Sequence, residues 1–236
     1  MLNISELGQL YNPCFFSRHA DKHTWSEKQN NPDALANVEF LFQGGSISFI
    51  SSQLLRKMQD VYRDDATATL NLRRICDGVL LLDRDDKHYL VILEVKSGFG
   101  DVKKKAISQI PASYVKVKSL LNDFTSYNRN DYQEFGLIVS YPYQPKAKTD
   151  AAQNPVVMER KRIMVQNKQE MLLSKYNKAL RETHSADFLG TDFELESFRN
   201  IDSCLFFDKL QVRHCPVADK CVNATIDLDS VIQTLH

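Results

Sequence analysis

The stretch that most constrains this chain runs from Ile75 to Ser97 and reads ICDGVLLLDRDDKHYLVILEVKS. Two apolar runs, Val79–Leu82 and Tyr89–Leu93, flank the polar turn Asp83–Lys87. Short aliphatic runs bounded by a charged turn predict a β-hairpin of buried strands. Asp77 opens the first strand. Glu94 ends the second, and Lys96 follows two residues later. The strand period of two points Glu94 and Lys96 to one face, where Asp77 on the neighbouring strand can meet them. Two carboxylates and an ammonium at the ends of buried strands are costly unless they bind something. A hard divalent cation such as Mg²⁺ satisfies both carboxylates. The lysine is then placed to steady a nucleophile or a phosphate oxygen.

An acid, a strand turn, Glu-x-Lys and a following helix resemble the PD-(D/E)XK nuclease superfamily. Asp77, Glu94 and Lys96 carry the likeness, over roughly residues 50–140, with Cys76 where a proline usually precedes the first acid. The resemblance implies an α/β fold with a restriction endonuclease-like αββαβ core, a central mixed β-sheet flanked by helices. It implies Mg²⁺ or Mn²⁺ held by Asp77, Glu94 and the main-chain carbonyl of Val95. It also implies hydrolysis of DNA, as an endonuclease of restriction or phage defence. The plainer alternative is a hairpin whose Glu94 and Lys96 form an exposed ion pair. A second Glu-x-Lys, Glu159-Arg160-Lys161, has no apolar strand before it and is set aside.

Superfamily members often place a further acid on the helix before the first core strand. Glu39 and then Asp60 are the candidates for an accessory metal ligand, each with a solvated charge as its alternative. RecB-like members carry Gln-x-x-x-Tyr after Glu-x-Lys. Here Tyr114 is five residues after Gln109, so Gln109 is an accessory catalytic candidate and Tyr114 reads as core. Some RecB-like nucleases close an iron–sulfur cluster with one N-terminal and three C-terminal cysteines. Cys14, Cys204, Cys215 and Cys221 copy that distribution without a close Cys-x-x-Cys pair, so a cluster or Zn²⁺ site stands against buried free thiols.

At 236 residues the chain predicts one globular domain. Residues 1–45 read as an N-terminal extension, 46–141 as the nuclease core, and 142–236 as an elaboration packed on it. Lys plus Arg and Asp plus Glu are 30 each, so a DNA partner needs a local basic patch. Lys103, Lys104 and Lys105, with Lys116 and Lys118 on the same helical segment, supply one; a solvated helix face is the alternative. No apolar run has membrane-spanning length, and the N-terminus lacks a basic region followed by an apolar block, so a cytoplasmic location is expected. An odd count of five cysteines argues against a disulfide framework.

Along the chain, a helix is expected from Ser52, a long strand over Ala66–Leu82, and a helix from Asp101 to Leu121 kinked or split at Pro111. Gly78 leaves space beside the site or marks a bulge. A third strand is expected at Phe135–Tyr141, a substrate-side flap at Pro142–Pro155, and a long helix over Val156–His184. His19 and His23 are four apart and share a face if helical; with Cys14 they are either a zinc set or an ordinary surface segment. A second functional class remains open, a catalytically silent or partner-activated nucleic-acid-binding subunit. The chain shows no helix-turn-helix or other reader, so a regulatory partner or homo-oligomer is expected.

Overall fold

A computed structural model describes residues 4–28, 34–59, 72–97, 106–141, 155–181, 210–218 and 221–235. The elements are α1 (Ile4–Leu10), β1 (Phe16–His19), β2 (Lys22–Ser26), β3 (Asn37–Leu41), β4 (Ser46–Ser51) and α2 (Ser52–Gln59). The hairpin β5 (Gly78–Arg84) and β6 (Lys87–Lys96) follows, then α3 (Ile107–Leu121), β7 (Tyr132–Ser140) and α4 (Pro155–Arg181). β8 (Gln211–Pro216), β9 (Asn223–Asp227) and α5 (Leu228–Gln233) complete the described chain. A mixed six-stranded sheet has the order β1-β4-β5-β6-β7-β8. Its first four strands pair antiparallel, and β6, β7 and β8 run parallel. A second sheet has the order β2-β3-β9. Among the described residues no helix is long and apolar enough to cross a membrane.

The hairpin forms as its sequence predicts. Arg84 pairs with Lys87 across a tight turn in which Asp85 takes a positive φ of 53°, a conformation Asp tolerates. The apolar runs are continuous because the sheet is covered on both faces. Val79, Leu81, Leu90 and Ile92 face α1, α2 and α3, where Leu7, Leu55, Ile110 and Tyr114 meet them. Leu80, Leu82, Val91 and Leu93 face the second sheet and α5, packing with Val38, Phe40 and Ile232. Each fully buried Leu or Ile contributes roughly 1.5–3 kcal/mol relative to exposure. The described part of residues 1–45 supplies strands to both sheets, since β1 lies beside β4 and β3 pairs with the C-terminal β9.

Four expectations are corrected. Residues 72–76 are not strand, and β5 begins only at Gly78. The polar groups of that segment bond to α3 side chains instead of a ladder. Lys116 donates to the carbonyls of Leu72 and Arg74, Gln109 Nε2 to that of Ile75 at 2.7 Å, and Ser113 Oγ accepts from Cys76 N–H at 2.7 Å. Lys116 and Lys118 are therefore buried, not a phosphate-facing surface. Lys118 pairs with Glu134 at 2.5 Å on the inward face. α3 runs unbroken through Pro111, which forgoes only the bond to the Ile107 carbonyl near the helix start. Finally, His19 and His23 sit on successive strands rather than one helix, with rings 4.7 Å apart.

α4 covers the open edge of the large sheet. The Asn177 amide accepts from Val212 N–H at 2.7 Å and donates to Val212 C=O at 3.0 Å, taking the place of a further strand on β8.

Candidate functional site

Asp77, Glu94 and Lys96 come together where the first-strand acid meets the C-terminal end of β6. Asp77 N–H donates to Leu93 C=O at 3.0 Å, which starts the β5–β6 ladder just before Gly78. Its carboxylate Oδ2 accepts from Val95 N–H at 2.7 Å. Lys96 Nζ donates to Glu94 Oε1, lies 3.3 Å from Val95 C=O and 3.6 Å from Asp77 Oδ2. The ammonium thus touches the three groups that the resemblance assigns to a metal.

Glu94 is fully buried, and its Oε2 has no hydrogen-bond partner. Burial and the neighbouring Asp77 charge push its carboxyl well above the usual range, against the pull of Lys96. Burial likewise raises Asp77, opposed by Lys96 and the Val95 N–H. For Lys96 burial acts downward, but Glu94 and Asp77 outweigh it and hold the ammonium up. Glu94 and its two partners are hard oxygen and ammonium groups in a dry setting, and Asp77 and Lys96 keep side-chain exposures of 19% and 15%. A ligand can reach them from solvent while Glu94 stays sealed behind.

Gly78 is explained by packing. A Cβ there would stand 2.3 Å from the Phe49 ring, so glycine leaves that ring its place against β5. Gln109 acts one step back: its amide holds the Ile75 carbonyl, two residues before Asp77, and its Oε1 is buried without a partner.

The other expected residues are placed elsewhere. Glu39 lies mid-β3 opposite Thr24 and Thr225, on the face away from buried Val38 and Phe40, and pairs with Lys22 at 3.3 Å. It is not brought to Asp77 and Glu94. Cys14 is exposed beside β1 at one edge of the large sheet, and Cys215 is on β8 at the other. Five strand spacings separate those edges, about 24 Å for a flat sheet, so the two thiols cannot share a cluster. Burial raises the Cys215 pKa to about 11, which keeps it a thiol. Asp60, Lys103, Lys104, Lys105, Cys204 and the body of the expected flap lie outside the described residues.

Three residues near the site had escaped sequence reasoning. Glu27, just past β2, bears electrostatically on both Asp77 and Lys96. Ser140 pairs with Lys96 in the β6–β7 ladder, and His214 follows on β8 with Nε2 2.8 Å from Ser140 Oγ. The parity of Ser140 with apolar Ile138 could have flagged it at the end of a parallel strand; nothing local flags Glu27.

Asp77, Glu94 and the Val95 carbonyl form an oxygen set that suits Mg²⁺ or Mn²⁺. The orphaned Glu94 Oε2 is the observation that favours such a cation. Among the described residues no group of three or more His, Cys, Asp or Glu converges to hold a metal, so water and substrate would complete the shell. Compared with family models, curated proteins and solved structures, the chain matches none.

Proposed function

We propose that this chain is a divalent-metal-dependent nuclease that cuts DNA phosphodiester bonds endonucleolytically. The observation that carries the reading is Glu94: a sealed carboxylate with one unpartnered oxygen, beside Asp77 and Lys96 at the end of a parallel strand. Ligand sites in α/β sheets gather at such strand ends. When bound, a hard divalent cation supplies polarisation of the scissile phosphate and acidification of a water.

The residues divide the remaining work. Val95 N–H fixes one oxygen of Asp77, and burial aims the Glu94 carboxylate at the same point. Lys96 brings a positive charge to a phosphate oxygen in a setting where water screens it little. Gln109 is a positioning residue, because it fixes the segment that presents Asp77. The exposed cations Arg160, Lys168 and Lys175 on α4 offer backbone contacts in place of the buried Lys116 and Lys118.

The second reading, a silent nucleic-acid-binding subunit, is favoured by one contact: Lys96 already satisfies Glu94 Oε1 without a metal. Plasmid and linear DNA are incubated with Mg²⁺ or Mn²⁺ and the parent, Glu94→Ala or Lys96→Ala protein. Metal-dependent nicking by the parent, lost in both variants, is expected. A parent that binds DNA but never cuts it, with affinity indifferent to metal, would instead support the silent subunit.

A further inference from the structure

Among the described residues, the helix-facing side of the sheet carries polar side chains at the C-terminal ends of the parallel strands. Glu94, Ile138 and His214 lie side by side on β6, β7 and β8, and Lys96 lies beside Ser140. Ser140 is fully buried. Its hydroxyl donates to Tyr141 C=O at 3.1 Å. His214 Nε2 lies 2.8 Å from Ser140 Oγ, a hydrogen bond that fixes the imidazole against β7.

His214 also lines a cavity of about 480 Å³ between β8 and α4, with Glu170, Ser174, Gln211 and Arg213. That volume falls in the range of small-ligand sites. Its wall carries both signs of charge, a carboxylate and a guanidinium, which disfavours a free anion. It carries donors and acceptors in quantity, including the buried Arg213 Nε, which has no hydrogen-bond partner. Such a wall suits a flat, neutral group with a mixed hydrogen-bonding edge. Arg213 Nη2 donates to Gln211 Oε1 at 3.0 Å and to Thr234 C=O, which fixes two side chains of the kinds that read base edges. Two strand spacings, about 10 Å, separate His214 from Glu94, so a group bound here would be tethered to a phosphate at Lys96.

We propose that the cavity between β8 and α4 is a subsite for one unpaired nucleobase of the strand whose phosphate lies at Asp77, Glu94 and Lys96, with Ser140–His214 as the wall between the two. The inference rests on the nuclease reading. A base must be unstacked to enter, so single strands bind better than duplex of equal length.

The test fills the cavity from its rim. Ser174 is exposed on α4, so Ser174→Trp projects into the cavity without entering the core, and Asn167→Trp, exposed on the same helix outside the cavity, is the control. Affinity for single-stranded oligonucleotides is measured in the non-cutting Lys96→Ala background, with a thermal melt to confirm folding. Ser174→Trp is expected to weaken binding about tenfold, with Asn167→Trp unchanged. In the cutting protein, KM rises and kcat holds. If Ser174→Trp binds and cuts as the parent does, the subsite is wrong and the nuclease reading stands. If the parent never cuts, yet Ser174→Trp weakens oligonucleotide binding, the nuclease reading falls and the subsite stands. A parent that neither binds nor cuts overturns both.

Discussion

Two buried acid–lysine clusters hang from neighbouring strands of one sheet, and they are finished differently. On β7, Glu134 accepts from Lys118 and Tyr127 at Oε1 and from Tyr114 at Oε2. On β6, Glu94 accepts from Lys96 at Oε1 and from nothing at Oε2. Both carboxylates are buried. The first cluster is saturated by its own fold and ties α3 to β7. The second leaves Glu94 Oε2 without a donor, beside the Asp77 carboxylate. An incomplete polar cluster in a packed interior is costly, and under the proposed reading a cation offsets that cost.

The largest effect should come from breaking the saturated cluster. Lys118→Met strands Glu134 and is expected to cost about 3–5 kcal/mol in urea denaturation. A loss under 1 kcal/mol would erase the distinction between the clusters. Next, Lys96→Ala should reduce cleavage about 10²–10³-fold while leaving the denaturation midpoint nearly unmoved. Because the ammonium sits on the oxygens a cation needs, calorimetry should find Mn²⁺ binding to this variant no weaker than to the parent. Weaker binding would show that Lys96 supports the cation position instead of competing for it.

The third test concerns His23, which is buried with both ring nitrogens unpartnered and stacked 4.4 Å from Phe49. Burial, with the nearby His19, lowers its pKa from 6.5 to about 4. A depressed folded pKa favours the neutral ring, so its stability is present above pH 6.5 and is lost as pH falls towards 4. Linkage puts the loss at pH 5 at about 2 kcal/mol, and His23→Phe should remove it. Equal acid sensitivity in parent and variant would assign the effect elsewhere. The smallest effect is at Glu94. Its raised pKa means that the neutral form stabilises the fold, a contribution present below about pH 4.5 and lost as pH climbs through the raised value. Metal-free Glu94→Gln, which cannot ionise, should therefore be more stable than the parent at pH 8 by about 1 kcal/mol, with metal-induced stabilisation gone.

The hairpin and its three polar ends were legible because strand parity is strict and the runs are short. A residue two positions along stays on the same face, so Glu94 and Lys96 follow from Ile92 without any long-range knowledge. Residues 72–76 were misread because Leu70, Leu72 and Arg74 alternate with polar neighbours as in a strand, while the hydrogen-bond partners of 72–76 come from α3, more than thirty positions later. Lys116 and Lys118 were misread for the matching reason. A lysine run reads as solvent-facing unless the carbonyls and the Glu134 that take its protons are visible. The second sheet joins Asn37 to Asn223, 186 positions apart, and no local pattern announces that pairing. Glu27 follows β2 of that sheet, and His214 comes to the site region through the β7–β8 pairing of the large sheet, so distance in sequence hid both.

The strapping of residues 72–76 to α3 also sets an order of events. Asp77 is presented by a segment whose carbonyls are held by Gln109 and Lys116, residues translated later than Asp77 itself. The hairpin positions Glu94 and Lys96 and gives Asp77 its contacts to Leu93 and Val95, while α3 braces the segment that leads into Asp77. A nascent or partly unfolded chain therefore carries a centre that lacks this brace. Under the proposed nuclease reading, cleavage is expected in full only once α3 has docked.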